Sequence, residues 1–188
     1  VTGGNSASGT FYNAGPSGSA ALTFTHAGGS DGYVAKYSSA GAVLWAARIA
    51  GTGGENGTGI TTDTSNNVYV IGNYYDAVTI FNQGPSGSSV VTFSAPTASF
   101  SNCFIAKYSS AGAVLWAARI GGAPSITAGG TAIDTDTSGN VLITGLYGPG
   151  ATFYNQGSSG TAFTTLPSAG TNDCFVVKYS PNGAIVWA

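Results

Sequence analysis

Charge is what this sequence has least of. Lys and Arg number five and Asp and Glu seven, together 6% of 188 residues, where a soluble domain usually carries ~25%. A formal net charge of −2 and a pI near 4.9 leave no basic field to attract phosphates, so nucleic acid is excluded as an expected partner. Methionine is absent, from which the chain is expected to begin inside a longer product or after processing. The first residues show no basic, apolar and small-residue pattern, which says little of a chain expected to begin inside a longer product, and no apolar run reaches the ~20 residues of a membrane-spanning helix, so membrane insertion is not expected. His26 is the only histidine, and any Ser-His-Asp or Cys-His machinery would have to use it. Cys103 and Cys174 are the only cysteines. They occupy one position in successive repeats, so they are expected to stay unpaired and to be small buried residues.

What is present points to a packed β chain. Hydrophobic residues make up 43% and aromatics 12%, enough to bury a core. The decisive feature is internal repetition at about 71 residues. Lys36 to Ile49 returns residue for residue as Lys107 to Ile120, and a looser copy runs from Lys178 to Trp187. Trp45, Trp116 and Trp187 are each 71 apart, which predicts one structural position for all three. Thr10-Phe11-Tyr12-Asn13 recurs as Thr79-Ile80-Phe81-Asn82 and Thr152-Phe153-Tyr154-Asn155, and Ile60 to Gly72 recurs as Ile133 to Gly145.

Alternation with period two predicts strands throughout. Tyr33, Ala35 and Tyr37 share one face with Lys36 opposite, and Trp45, Ala47 and Ile49 share another with Arg48 opposite. Ser38-Ser39-Ala40-Gly41 and Asp63-Thr64-Ser65-Asn66-Asn67 read as hairpin turns. An extra hairpin is expected around Gly84-Pro85-Ser86-Gly87. The expected fold is all-β: β-propeller blades of four antiparallel strands with an extra hairpin per repeat. The array 1–188 divides into a partial blade 1–50, a blade 51–121 and a blade 122–188. Three blades lacking one innermost strand cannot close a ring, for which ~4–8 blades are needed. The stretch is therefore expected to be a window onto a longer array or a subunit that exchanges strands with its copies.

The blocks Phe104-Ile105-Ala106-Lys107-Tyr108, Val114-Leu115-Trp116-Ala117 and Gly59-Ile60 through Asp63, Asn67-Val68-Tyr69-Val70 and Gly72 together resemble the bacterial SBBP repeat, a β-propeller repeat of secreted multidomain proteins also found in large virus genomes. The resemblance implies a propeller, an extracellular setting and no catalytic residues. The extra hairpin departs from it and leaves the outer edge of each blade open.

Candidate chemistry is sparse. Asp63 and Asp136 align and each begins a turn, where an Asp accepts backbone N–H groups. Asp134, Asp136 and Asn140 form an oxygen-rich loop that echoes a calcium loop without its spacing. Turn chemistry is the expectation, calcium the alternative, and no other cofactor is expected. Lys36, Lys107 and Lys178 recur at one position and Arg48 and Arg119 at another, the mark of inter-blade bonding or edge protection. Asn56-Gly57-Thr58 is an N-glycosylation sequon. Gly51-Thr52-Gly53-Gly54 and Gly121-Gly122 read as links between blades. The functional expectation is a non-enzymatic scaffold on a cell or virion surface or outside the cell, self-associating into an oligomer, filament, sheath or coat. A carbohydrate-binding module is the alternative, with Phe11-Tyr12, Phe153-Tyr154 and Tyr74-Tyr75 as its candidate surface.

Overall fold

The computed structural model describes all residues except 16, 95–99, 123–127 and 149. Its described residues form seventeen strands and no helix, so none is long and apolar enough to cross a membrane. The first stretch holds β1 (Thr2–Asn5), β2 (Gly9–Tyr12), β3 (Ala20–Phe24), β4 (Asp31–Tyr37) and β5 (Val43–Gly51). The second holds β6 (Glu55–Thr62), β7 (Val68–Tyr74), β8 (Ala77–Gln83), β9 (Ser89–Ser94), β10 (Asn102–Tyr108) and β11 (Val114–Gly122). The third holds β12 (Ala128–Thr135), β13 (Val141–Tyr147), β14 (Ala151–Tyr154), β15 (Ala162–Leu166), β16 (Asp173–Tyr179) and β17 (Ile185–Trp187).

Two turn designs recur. Gly41, Gly112 and Gly183 sit at φ +78°, +86° and +79°, and each closes a turn by donating its N–H to Ser38, Ser109 and Ser180 O respectively. Gly takes this left-handed backbone without a Cβ clash. In the other turn the left-handed residue is Asn66 at +60° and its counterpart Gly139 at +76°, matching the tolerance of Asn for that region. Asp63 Oδ1 accepts from Ser65 N and Asn67 N at 3.0 and 2.9 Å, and Asp136 Oδ1 accepts from Ser138 N and Asn140 N at the same two distances.

The strand order within the sheets is β1-β4-β5-β8-β9, then β15-β14-β11-β10-β7-β6, then β12-β13-β16-β17, with β2-β3 as a separate pair. All paired strands run antiparallel, and among the described residues the sheets do not close into a ring. The extra hairpin forms where the sequence places it, but it joins a different sheet from its flanking strands. β8, inside the segment 51–121, pairs with β5 through Ile49↔Ile80, and β14, inside 122–188, pairs with β11 through Ile120↔Phe153. The sheets thus hold five, six and four strands instead of four plus a local hairpin, and the segments 1–50, 51–121 and 122–188 interlock. Both edges of β7 are taken by β6 and β10, so β8, which follows it in the chain, cannot pair with it and instead extends the first sheet beyond β5.

Both faces of the middle strands β7 and β10 are buried, which single-face alternation does not reveal. On β7, Val68, Val70 and Tyr74 pack with Val34, Trp45, Ala47 and Ile49 of the first sheet, while Tyr69 and Ile71 pack with Val141, Ile143 and Phe175 of the third. The core therefore lies between sheets stacked face to face. Gly72 fits this spacing because a Cβ there would stand 2.2 Å from Asn56 O and 2.5 Å from the Phe104 ring.

Candidate interaction site at the sheet joints

The recurrent polar residues converge on the joints between sheets. Trp45 Nε1–H donates to Ser110 O at 3.0 Å and its ring stacks on Tyr108 at 5.7 Å. One repeat later, Trp116 Nε1–H donates to Pro181 O at 2.9 Å and stacks on Tyr179 at 6.0 Å. Lys36 Nζ donates to Asn66 O at 2.9 Å, and Lys107 Nζ donates to Pro181 O at 3.2 Å. Each indole and ammonium thus reaches from its own sheet to turn carbonyls of the next. Because those carbonyls would otherwise lose water on burial, the donors satisfy groups that are costly to leave unpaired.

Asp63 and Asp136 tie this system to the turns. Lys107 stands 3.5 Å from Asp63 Oδ2 and Lys178 stands 2.8 Å from Asp136 Oδ2. Burial alone would raise the Asp63 carboxyl, but hydrogen bonds from Asn67 and the charge of Lys107 outweigh it and hold it below the usual range. Lys178 and then Asn140 hold Asp136 well below that range. Of the calcium candidates, Asn140 Nδ2 donates to Asp136 Oδ2 at 2.8 Å and Asp134 Oδ1 accepts from Thr135 N at 2.8 Å. Among the described residues, no group of three or more His, Cys, Asp or Glu side chains is placed to hold a metal.

The hairpins are fastened by the Asn of the Thr-Phe-Tyr-Asn block. Asn13, Asn82 and Asn155 Oδ1 accept from Val43, Val114 and Ile185 N, all at 2.8 Å. Arg48 and Arg119 lie over the Phe81 and Tyr154 rings at 4.5 and 4.2 Å and donate to Thr25 O and Ser94 O at 3.2 Å. The aromatic pairs are split rather than presented together: Phe153 and Tyr74 are buried, while Tyr12 and Tyr75 are exposed. Asn56 is exposed on β6 and paired in register with Asn73.

Two positions differ from the sequence expectation. Trp187 keeps the register of its siblings, opposite Lys178 as Trp45 is opposite Lys36, yet it is 43% exposed against 4% and 6% for Trp45 and Trp116. Cys103 is buried and Cys174 exposed, and both are free thiols. Burial pushes the Cys103 thiol up to about 12. The cause is common to both differences: Cys103 and Trp116 face the third sheet, whereas among the described residues no sheet packs over Cys174 and Trp187.

Sequence reasoning missed Glu55. It is fully buried, and neither carboxylate oxygen has a hydrogen-bond partner of good geometry. Burial raises its carboxyl to about 7; the Gly51 N–H acts in the opposite direction, and Asp31 and Asp76 add to the rise. Its counterpart, opposite Tyr147 as Glu55 is opposite Tyr74, is Ala128. That misalignment of residue type was the available signal.

Against known proteins, no family model matches the chain. Over 176 residues it is 31% identical to an uncharacterized WD repeat-containing protein of Acanthamoeba polyphaga mimivirus, with 84% of this chain covered. The chain resembles a viral WD repeat-containing protein. It spans only 12% of that relative's length. The likeness and the tandem antiparallel sheets both support a β-propeller-type repeat.

Proposed function

We propose that this chain is a non-enzymatic protein-interaction scaffold of propeller-type sheets, of the SBBP kind, acting outside the cell or on a cell or virion surface and binding further copies of itself. The observation that carries the reading is the outward face of the third sheet. Leu146, Val176 and Trp187 are exposed there at 48%, 45% and 43%. The residues at the corresponding positions of the second sheet include Ile105 and Trp116, and these are buried against the third sheet. A second copy offers the complement at its first sheet, where Tyr37 is only half-buried while its counterparts Tyr108 and Tyr179 are fully buried under an indole. The ionisable groups that recur are engaged in joints and turns, as expected of a frame rather than a reaction centre.

Sedimentation velocity across the micromolar to millimolar range tests this. Concentration-dependent association is expected, weakened roughly tenfold or more, about 1.4 kcal/mol, by Val176→Asp. A monodisperse monomer throughout would contradict it. Saturable binding on a glycan array at several sites per chain would favour the carbohydrate-binding alternative instead. Surface placement predicts that protease treatment of intact cells or particles removes the protein; full protection would contradict it.

A further inference from the structure

A cavity of about 160 Å³ lies between the β2-β3 hairpin and the first sheet. It exists because the first repeat lacks a side chain that the other two have. Register places Asn5 opposite Asp31, Tyr74 opposite Asn102 and Tyr147 opposite Asp173, so Asn5 occupies the position of two tyrosines. Both tyrosines are buried, Tyr74 to 1% and Tyr147 to 6% exposure. A second truncation widens the gap: Gly9 pairs with Phe24 where Val78 pairs with Phe93 and Ala151 with Leu166.

The walls of a tyrosine site remain in place. In the third repeat, Tyr147 packs on Phe175 at 6.4 Å, and Phe175 meets Phe153 edge-on at 5.3 Å. In the first repeat the matching pair, Tyr33 and Phe11, meets edge-on at 5.1 Å with both rings lining the cavity. Tyr147 Oη–H donates to Pro167 O at 3.1 Å. The matching carbonyl, one residue after the hairpin position of Phe24, is that of Thr25, also on the lining. Arg119 stands beside the buried Tyr74 hydroxyl, and its counterpart Arg48 lines the cavity and donates to Thr25 O at 3.2 Å. Asp31 projects a buried oxygen, Oδ1, that has no partner, and its side chain is 10% exposed.

We propose that this cavity binds a para-hydroxyphenyl group, either a small phenol or a tyrosine side chain of a partner. The ring replaces the one missing at Asn5, against Phe11 and Tyr33, and the hydroxyl donates to Thr25 O or to the free oxygen of Asp31 while accepting from Arg48. Size is suitable: an apolar cavity of about 150 Å³ is known to admit benzene, and the polar end distinguishes a phenol from a hydrocarbon because buried polar groups left unpaired are penalised.

The test uses p-cresol as probe on the 188-residue chain. At ten times its Kd, p-cresol is expected to raise Tm by roughly 3–6 °C, and toluene to bind at least about tenfold more weakly. Asn5→Tyr should raise Tm without ligand and abolish the p-cresol shift. Should that variant fold poorly, nuclear Overhauser contacts from the p-cresol methyl to the Phe11 and Tyr33 rings of the unmodified chain give the same answer. N-acetyltyrosinamide separates the sources: binding of both probes assigns the site to a tyrosine-bearing partner, binding of p-cresol alone to a free phenol. No Tm shift and no ring contacts with p-cresol, or equal binding of toluene, would overturn the proposal.

Discussion

Trp116→Ala is expected to destabilise the chain by about 3–5 kcal/mol, whereas Trp187→Ala at the equivalent repeat position should change stability by no more than about 0.5 kcal/mol. The two residues share a sequence block and a strand register, and differ in what covers them. Trp116 is buried, stacked on Tyr179 and bonded to Pro181 O in the next sheet. Its removal leaves a large void between two stacked sheets and strips one donor from a carbonyl that Lys107 then satisfies alone. Trp187 stacks on no described residue, and 43% of its surface is exposed. Urea denaturation of the two variants checks the contrast. Equal losses would mean that the indole stabilises its own sheet rather than the joint.

Acidification from pH 8 to pH 5 is expected to add about 2–3 kcal/mol of stability through Glu55, opposed in part by the Val1 ammonium that burial holds below its usual range, and Glu55→Gln to remove the stabilising share. The folded carboxyl lies at about 7, raised from 4.5, so the folded state binds a proton that the unfolded state releases between those values. Linkage then makes the stabilising effect complete below about 4.5 and lost as pH rises through 7. A shift of about 2.5 units corresponds to about 3 kcal/mol in full. The lowered carboxyls of Asp63, Asp136 and Asp173 act in the opposite sense, their contributions being lost as pH falls below 3.8, outside this window. Urea melts at the two pH values, for the parent and Glu55→Gln, provide the measurement. A flat parent profile, or an unchanged slope in the variant, would assign the effect elsewhere.

Local chemistry was legible and partnership was not. The turn at Gly41 and the Asx turn at Asp63 follow from residues within five positions of one another, and both form as the sequence indicates. The hairpin around Gly84 was equally plain. Its attachment to β5 was not, because strand pairing across sheets depends on which edge is open, and no local pattern records that. Burial of a repeated position also depends on its neighbour. Cys103 and Cys174 occupy one position in the repeat, yet among the described residues only Cys103 faces another sheet. The aromatic-lined cavity was not legible because the repeated block Ile60 to Gly72, like its copy Ile133 to Gly145, ends two residues before Tyr74 and Tyr147, the positions that Asn5 matches. For Asp136 the turn reading and the calcium reading used the same oxygens, and only placement shows them bonded to Asn140 and Lys178.

The β8-β9 and β14-β15 hairpins each fasten their repeat to the preceding sheet. Backbone nuclear Overhauser contacts across strands test this central claim most directly. Cross-strand contacts between Ile120 and Phe153, and between Ile49 and Ile80, are the predicted result, in the register of β11 with β14 and β5 with β8. Contacts placing β8-β9 on β11, or β14-β15 on β17, within their own repeats would contradict it.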